Sequence, residues 1–186
     1  MRIISGKLKG KSIKFFKNLI TRPLKDSVKE NIFNILMHSN LINVKINKSN
    51  ILDLYSGIGS FGLECISREA KKVTFVEQDQ NASIILKKNL VKLAIIEKAK
   101  IINDKIENFI ALKTKDKYDI FFLDPPFADE NFIHILQLLK KNKIYKKNHI
   151  IIIHREKNSK DNFKGIINTL LIKKYARSKI FFGIFN

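Results

Sequence analysis

The segment Asp124-Pro125-Pro126-Phe127 ends an apolar run, YDIFFL, with a carboxylate, two prolines and an aromatic ring. Proline has no backbone donor and fixes its own φ, so the pair Pro125 and Pro126 makes a stiff, extended exit from a strand. The carboxylate of Asp124 and the stiff carbonyl of Pro125 can each accept one N–H of a planar aromatic amine. The lone pair of such an amine is delocalised into its ring, and two fixed acceptors steer it toward an incoming methyl group while Phe127 offers a stacking face. The acceptor is then an exocyclic or amide nitrogen. Methylation at a pyrimidine carbon generally needs a cysteine nucleophile at this loop, and the one cysteine, Cys65, lies elsewhere, inside FGLECISRE.

A second constellation is DLYSGIGSFGLE, where Gly57, Gly59 and Gly62 have G-x-G-x-x-G spacing between an apolar run and a helical stretch. A turn without side chains, with Ser56 at its start, lets a ligand approach the backbone and the N-terminus of the next helix. Glu77 ends the following apolar run, roughly 20 residues on, where a carboxylate accepts hydrogen bonds from ribose hydroxyls. Both nicotinamide dinucleotides and S-adenosylmethionine use this arrangement. Asp53, just ahead of the glycines, distinguishes them, because a carboxylate there repels a pyrophosphate and attracts the methionine ammonium group. Asp104 ends a third run, IINDK, within reach of an adenine amino group, and also suits a helix cap.

These residues need a frame. Apolar runs at 50–55, 72–77, 99–103, 118–124 and 149–154 alternate with helical patterns at about 60–69, 80–93, 105–114 and 129–140. Strands apolar on both faces and joined by helices predict a doubly wound α/β domain with a mostly parallel, seven-stranded, Rossmann-like sheet. The fourth strand then ends beside the first, bringing Asp124 to the glycine loop. TLLIKKYARSKIFFGIF predicts an antiparallel C-terminal hairpin, and RIISGKLKGKSIKF a small basic N-terminal β-hairpin outside the main sheet. DSVKENIFNILMH has a helical stripe with Ser27 and Glu30 as a capping box. Residues 1–40 read as a basic extension and 41–186 as the catalytic domain.

The chain of 186 residues carries a net charge of +19, unevenly distributed. Residues 1–25 hold eight Lys or Arg and no acid, residues 137–186 hold thirteen against two, and the middle is balanced. A lysine-rich composition alone raises charge everywhere; basic ends around a neutral middle point to a polyanion such as nucleic acid. No run reaches the length of a membrane helix, MRIISGKLKGKS lacks the apolar stretch of a signal peptide, and neither cysteine nor histidine spacing supports a metal site. A cytoplasmic monomer without metal or membrane contact is the expectation.

The sequence resembles the RsmD family of S-adenosylmethionine-dependent 16S rRNA (guanine(966)-N(2))-methyltransferases. The likeness lies in DLYSGIGSFG, DPPF, the start RIISGKLKGKSI, the segment TRPLKDSVKENIFN and the continuation GLECISREAKKVTFVEQD. It implies methylation of the 2-amino group of one guanine in small-subunit rRNA, on an assembly particle. By position Asp53, Ser56, Gly57, Gly59, Glu77 and Asp104 would hold the cofactor, and Asp124, Pro125, Pro126 and Phe127 the guanine. Arg2, Lys7, Lys9, Lys11 and Arg22 would contact RNA. Ser5, Leu24 and His154 depart from the family pattern, His154 standing where an acid is common. Amino-methyltransfer to DNA adenine or cytosine or to protein glutamine is an alternative, and a nicotinamide-dependent oxidoreductase is one from another class.

Overall fold

The computed structural model describes residues 1–15, 24–112, 114–129 and 131–186. Helix α1 (Asp26–His38) precedes β1 (Asn50–Leu54), α2 (Ser60–Ser67), β2 (Lys72–Val76), α3 (Gln80–Lys92), β3 (Ala99–Ile102), α4 (Ile106–Ala111), β4 (Tyr118–Leu123), α5 (Phe132–Asn142), β5 (Tyr145–Glu156), β6 (Ile167–Lys174) and β7 (Ser178–Phe185). The strands form one seven-stranded sheet in the order β3-β2-β1-β4-β5-β7-β6. The first five in that order pair in parallel, while β7 runs antiparallel between β5 and β6. This is the expected doubly wound sheet with its C-terminal hairpin.

Runs such as ILDL and IFFL are buried on both faces because apolar clusters cover the sheet on each side. Each face therefore removes apolar area from water along the whole strand. On one side every residue of α2 is buried. Its Phe61 is sandwiched between Phe33 of α1, at 5.2 Å between ring centroids, and Phe122 of β4, at 4.1 Å. Gly62 lets α2 close on β2, since a Cβ there would lie 2.2 Å from the Phe75 ring.

The N-terminal hairpin is smaller than a regular ribbon: one bridge, Arg2 to Ser12, with flanking bonds from Ile3 N–H to Lys11 O and from Gly10 N–H to Ile3 O. It stands outside the sheet, and Ile3 and Ile13 enter the same apolar cluster as α1 and α2. The capping box on Ser27 and Glu30 does not form. Lys29 N–H bonds the Lys25 carbonyl at 2.9 Å, which starts the helix earlier, with Lys25 at the N-cap and Ser27 inside the first turn. Among the described residues no helix is long and apolar enough to cross a membrane.

Candidate active site

Parallel pairing of β1 with β4 sets Leu54 opposite Leu123, and the Asp124 N–H donates to the Leu54 carbonyl at 3.4 Å. The two loops that leave these strands therefore start side by side on the carboxyl edge of the sheet. In the first, Gly59 N–H closes a turn onto Ser56 O at 2.8 Å, and Gly59 takes φ +84, a left-handed conformation that suits glycine. Tyr55 is also left-handed, at φ +56, and its half-buried hydroxyl faces Asp129 beyond the tetrapeptide. Burial and the Asp129 charge both push that phenol's pKa up.

Glu77, at the end of β2, grips the glycine loop. Its Oε2 accepts the Gly57 N–H at 2.7 Å and its Oε1 the Asp79 N–H at 2.8 Å, leaving further lone pairs toward solvent. Asp53 is 1% exposed and directs Oδ2 to the Gly62 N–H at 2.9 Å, in the first turn of α2. Burial pushes the Asp53 pKa well up, the Gly62 bond opposes this, and the charges of Asp124 and Glu77 add to the rise. Asp124 and Glu77 thus both disfavour a negative charge on Asp53, and a cation bound beside it would relieve that repulsion.

The residues present fit an adenosyl cofactor carrying a cationic methionine. Among the described residues the hydroxyls of Ser56 and Ser60 are buried without a hydrogen-bond partner, an expensive state that a polar ligand at the loop would correct. A Cβ at Gly57 would meet nothing within 4 Å, so open space lies directly over the loop backbone. Asp104 is exposed, and its Oδ1 accepts the Lys105 N–H and the Asn108 side-chain amide, both at 2.7 Å. One Asp104 oxygen therefore serves its own helix. Asn103, its neighbour, donates to the Glu77 carbonyl at 2.8 Å and ties β3 to the loop edge.

The tetrapeptide is held from β5, its neighbour in the sheet. His154 Nδ1 lies 2.7 Å from Asp124 Oδ1. The Arg155 guanidinium, 3% exposed, donates to the Pro126 and Phe127 carbonyls, both at 3.1 Å. It is itself fixed by Asp161 Oδ1 at 3.0 Å and lies 4.2 Å over the Phe132 ring. Among the described residues no hydrogen bond reaches the Pro125 carbonyl, and Phe127 is 46% exposed. An acceptor carboxylate, an uncommitted carbonyl and an accessible ring thus converge beside the glycine loop.

The whole chain agrees with this geometry in its likeness to known proteins. The family model described as conserved hypothetical protein 95 matches residues 1–184. Ribosomal RNA small subunit methyltransferase D of Buchnera aphidicola subsp. Baizongia pistaciae is 35% identical over all of this chain and 91% of its own length. The protein of the same name from Haemophilus influenzae is 38% identical over 84% of this chain and 79% of its own. The chain belongs to the RsmD family. The solved structure of yhhF from Escherichia coli superposes with a TM-score of 0.84 at 27% identity, covering 98% of this chain and 96% of that one.

In this RsmD-family chain the expected RNA-facing side chains Arg2, Lys7, Lys9 and Lys11 are all exposed on the hairpin. Lys7 is paired with Glu69 at 2.7 Å, and Arg22 lies outside the described residues. The hairpin is anchored on α2. Glu64, fully buried, accepts the Ile4 and Ser5 N–H groups at 2.8 and 2.9 Å and pairs with Arg68 at 3.1 Å and the buried Lys29 at 3.9 Å. Ser67 Oγ donates to Ser5 O at 2.6 Å and accepts the Leu8 N–H. Cys65 is buried in the same helix. Sequence reasoning missed Arg155 and Glu64; the one available signal was a charge inside or next to an otherwise apolar run.

Proposed function

We propose that this chain methylates the exocyclic 2-amino group of a specific guanine in small-subunit (16S) ribosomal RNA, during ribosome assembly, with S-adenosylmethionine as donor. The observation that carries the reading is Asp124, which stands next to the glycine loop with Phe127 exposed beside it. The family supports it, since relatives covering most of the chain are named as ribosomal RNA small subunit methyltransferase D. When bound, the cofactor supplies a methyl group on a sulfonium sulfur, which departs as a neutral thioether.

The chain's own residues do the rest. Asp53 and Glu77 provide negative potential for the methionine ammonium and acceptors for the ribose, Ser56 and the backbone of Gly57 and Gly59 line the contact, and Asp104 reaches the adenine amino group. Asp124 Oδ2 accepts one N–H of the guanine amino group, the Pro125 carbonyl accepts the other, and Phe127 stacks on the base. As the nitrogen bonds to the methyl carbon it loses one proton, which Asp124 receives. Arg2, Lys7, Lys9, Lys11 and Arg22, in an extension covering residues 1–40, hold phosphates.

The test is incubation with labelled S-adenosylmethionine and naked 16S rRNA, small-subunit assembly particles, DNA or protein extract, followed by location of the methyl group. Label on guanine N2 of the RNA is expected, lost in Asp124→Ala with cofactor binding retained. Label on DNA or protein, or full transfer by Asp124→Ala, would overturn the reading.

A further inference from the structure

We infer that His154 is a positioning residue for methyl transfer, acting through Asp124 and Phe127; the inference rests on the reading of Asp124 as the acceptor of the amino group. The 2.7 Å approach of His154 Nδ1 to Asp124 Oδ1 requires a proton between them. A carboxylate only accepts, so that proton belongs to Nδ1. The bond commits Oδ1, fixes the plane of the carboxylate, and leaves Oδ2 to receive the substrate.

The same imidazole meets the Phe127 ring edge-on, at 5.9 Å between centroids and 70° between planes. One side chain therefore touches both groups that would hold the base, the acceptor and the stacking surface. The pair is sheltered, with side chains only 12% and 25% exposed for His154 and Asp124. Among the described residues His154 Nε2 is buried with no partner, as suits a ring whose proton sits on Nδ1 and whose Nε2 carries a bare lone pair and not a stranded N–H. The imidazole supplies a donor to a carboxylate that lies within electrostatic reach of Asp53.

The experiment compares His154→Ala, His154→Asn and Asp124→Ala on the RNA that the wild-type protein methylates. An Asn amide nitrogen reproduces the Nδ1 donor, and a loss of carboxylate alignment costs on the order of 10²-fold in rate. His154→Ala is expected to lower kcat by about 10- to 100-fold with cofactor affinity unchanged, and His154→Asn to recover most of the loss. Full kcat in His154→Ala, or no recovery in His154→Asn, overturns the inference. Full activity in Asp124→Ala defeats the underlying reading instead. In ¹⁵N-histidine-labelled wild-type protein, NMR should show His154 protonated on Nδ1, a readout that needs no variant and no RNA; a ring protonated only on Nε2 would overturn the pairing.

Discussion

Glu77 accepts the Gly57 N–H at 2.7 Å across 20 residues of chain, so the end of β2 holds the loop that leaves β1. One carboxylate thereby shapes the glycine turn and keeps lone pairs for a ribose. Glu77→Ala removes both and takes the acceptor from the Gly57 and Asp79 N–H groups, a loss of about 1.5 to 3 kcal/mol for each charged hydrogen bond. S-adenosylmethionine affinity, measured by calorimetry, should fall about 10- to 100-fold. An unchanged affinity would show that the loop keeps its form without Glu77.

Asp53 makes the protein's stability fall with pH. Its folded pKa lies well above the ordinary carboxylate value because burial, and then Asp124 and Glu77, disfavour the charged form. A raised folded pKa means that the folded state binds the extra proton, so this contribution is present below about pH 4 and is lost as pH rises through the folded pKa. Asp53→Asn keeps an acceptor for Gly62 and removes the decline. In the ligand-free protein its advantage in thermal unfolding temperature should widen from about pH 4 upward, while cofactor affinity drops. Parallel pH curves for the two proteins would refute this.

Arg155 fixes the Pro126 and Phe127 carbonyls from a buried position on β5. Arg155→Met keeps much of the volume and the contact with Phe132 but frees the tetrapeptide. A drop of about 10-fold or more in kcat is expected, with cofactor affinity within about twofold, because misplacement of the acceptor affects the transition state. Wild-type kcat would mean that the two prolines suffice for rigidity.

Gly6 is the tightest point between hairpin and α2. It takes φ +81, and a Cβ there would lie 2.1 Å from the Ser67 carbonyl oxygen. Gly6→Ala meets both backbone strain and a backbone clash, for about 2 kcal/mol or more. The unfolding temperature should fall by about 5 °C or more; a smaller shift would show that the hairpin lifts off α2 freely.

The sheet was legible because its strands are buried on both faces: ILDL, VTFV, IFFL and IIII have no polar side to confuse the period. The placing of Asp124 beside the glycines followed from strand order, and the structure shows it. Three things were not legible. The start of α1 depends on which residue first accepts a helical bond, which turned out to be Lys25, where Ser27 looked the better cap. Glu64 and Lys29 look like solvated charges on helices until the hairpin closes over them. The contacts of His154 and Arg155 link residues about 30 positions apart, and only the lateral pairing of β5 with β4 creates them.

The pairing of β1 with β4 has a kinetic consequence. β6 and β7 are joined by a short turn and can zip as a local hairpin, whereas β1 meets β4, Ile51 opposite Ile120, across about 70 residues of chain. Long-range pairings close slowly compared with helices and hairpins. That pairing is the one that sets Asp124 beside the glycine loop. During refolding, recovery of methyl transfer should therefore trail recovery of the helical circular-dichroism signal.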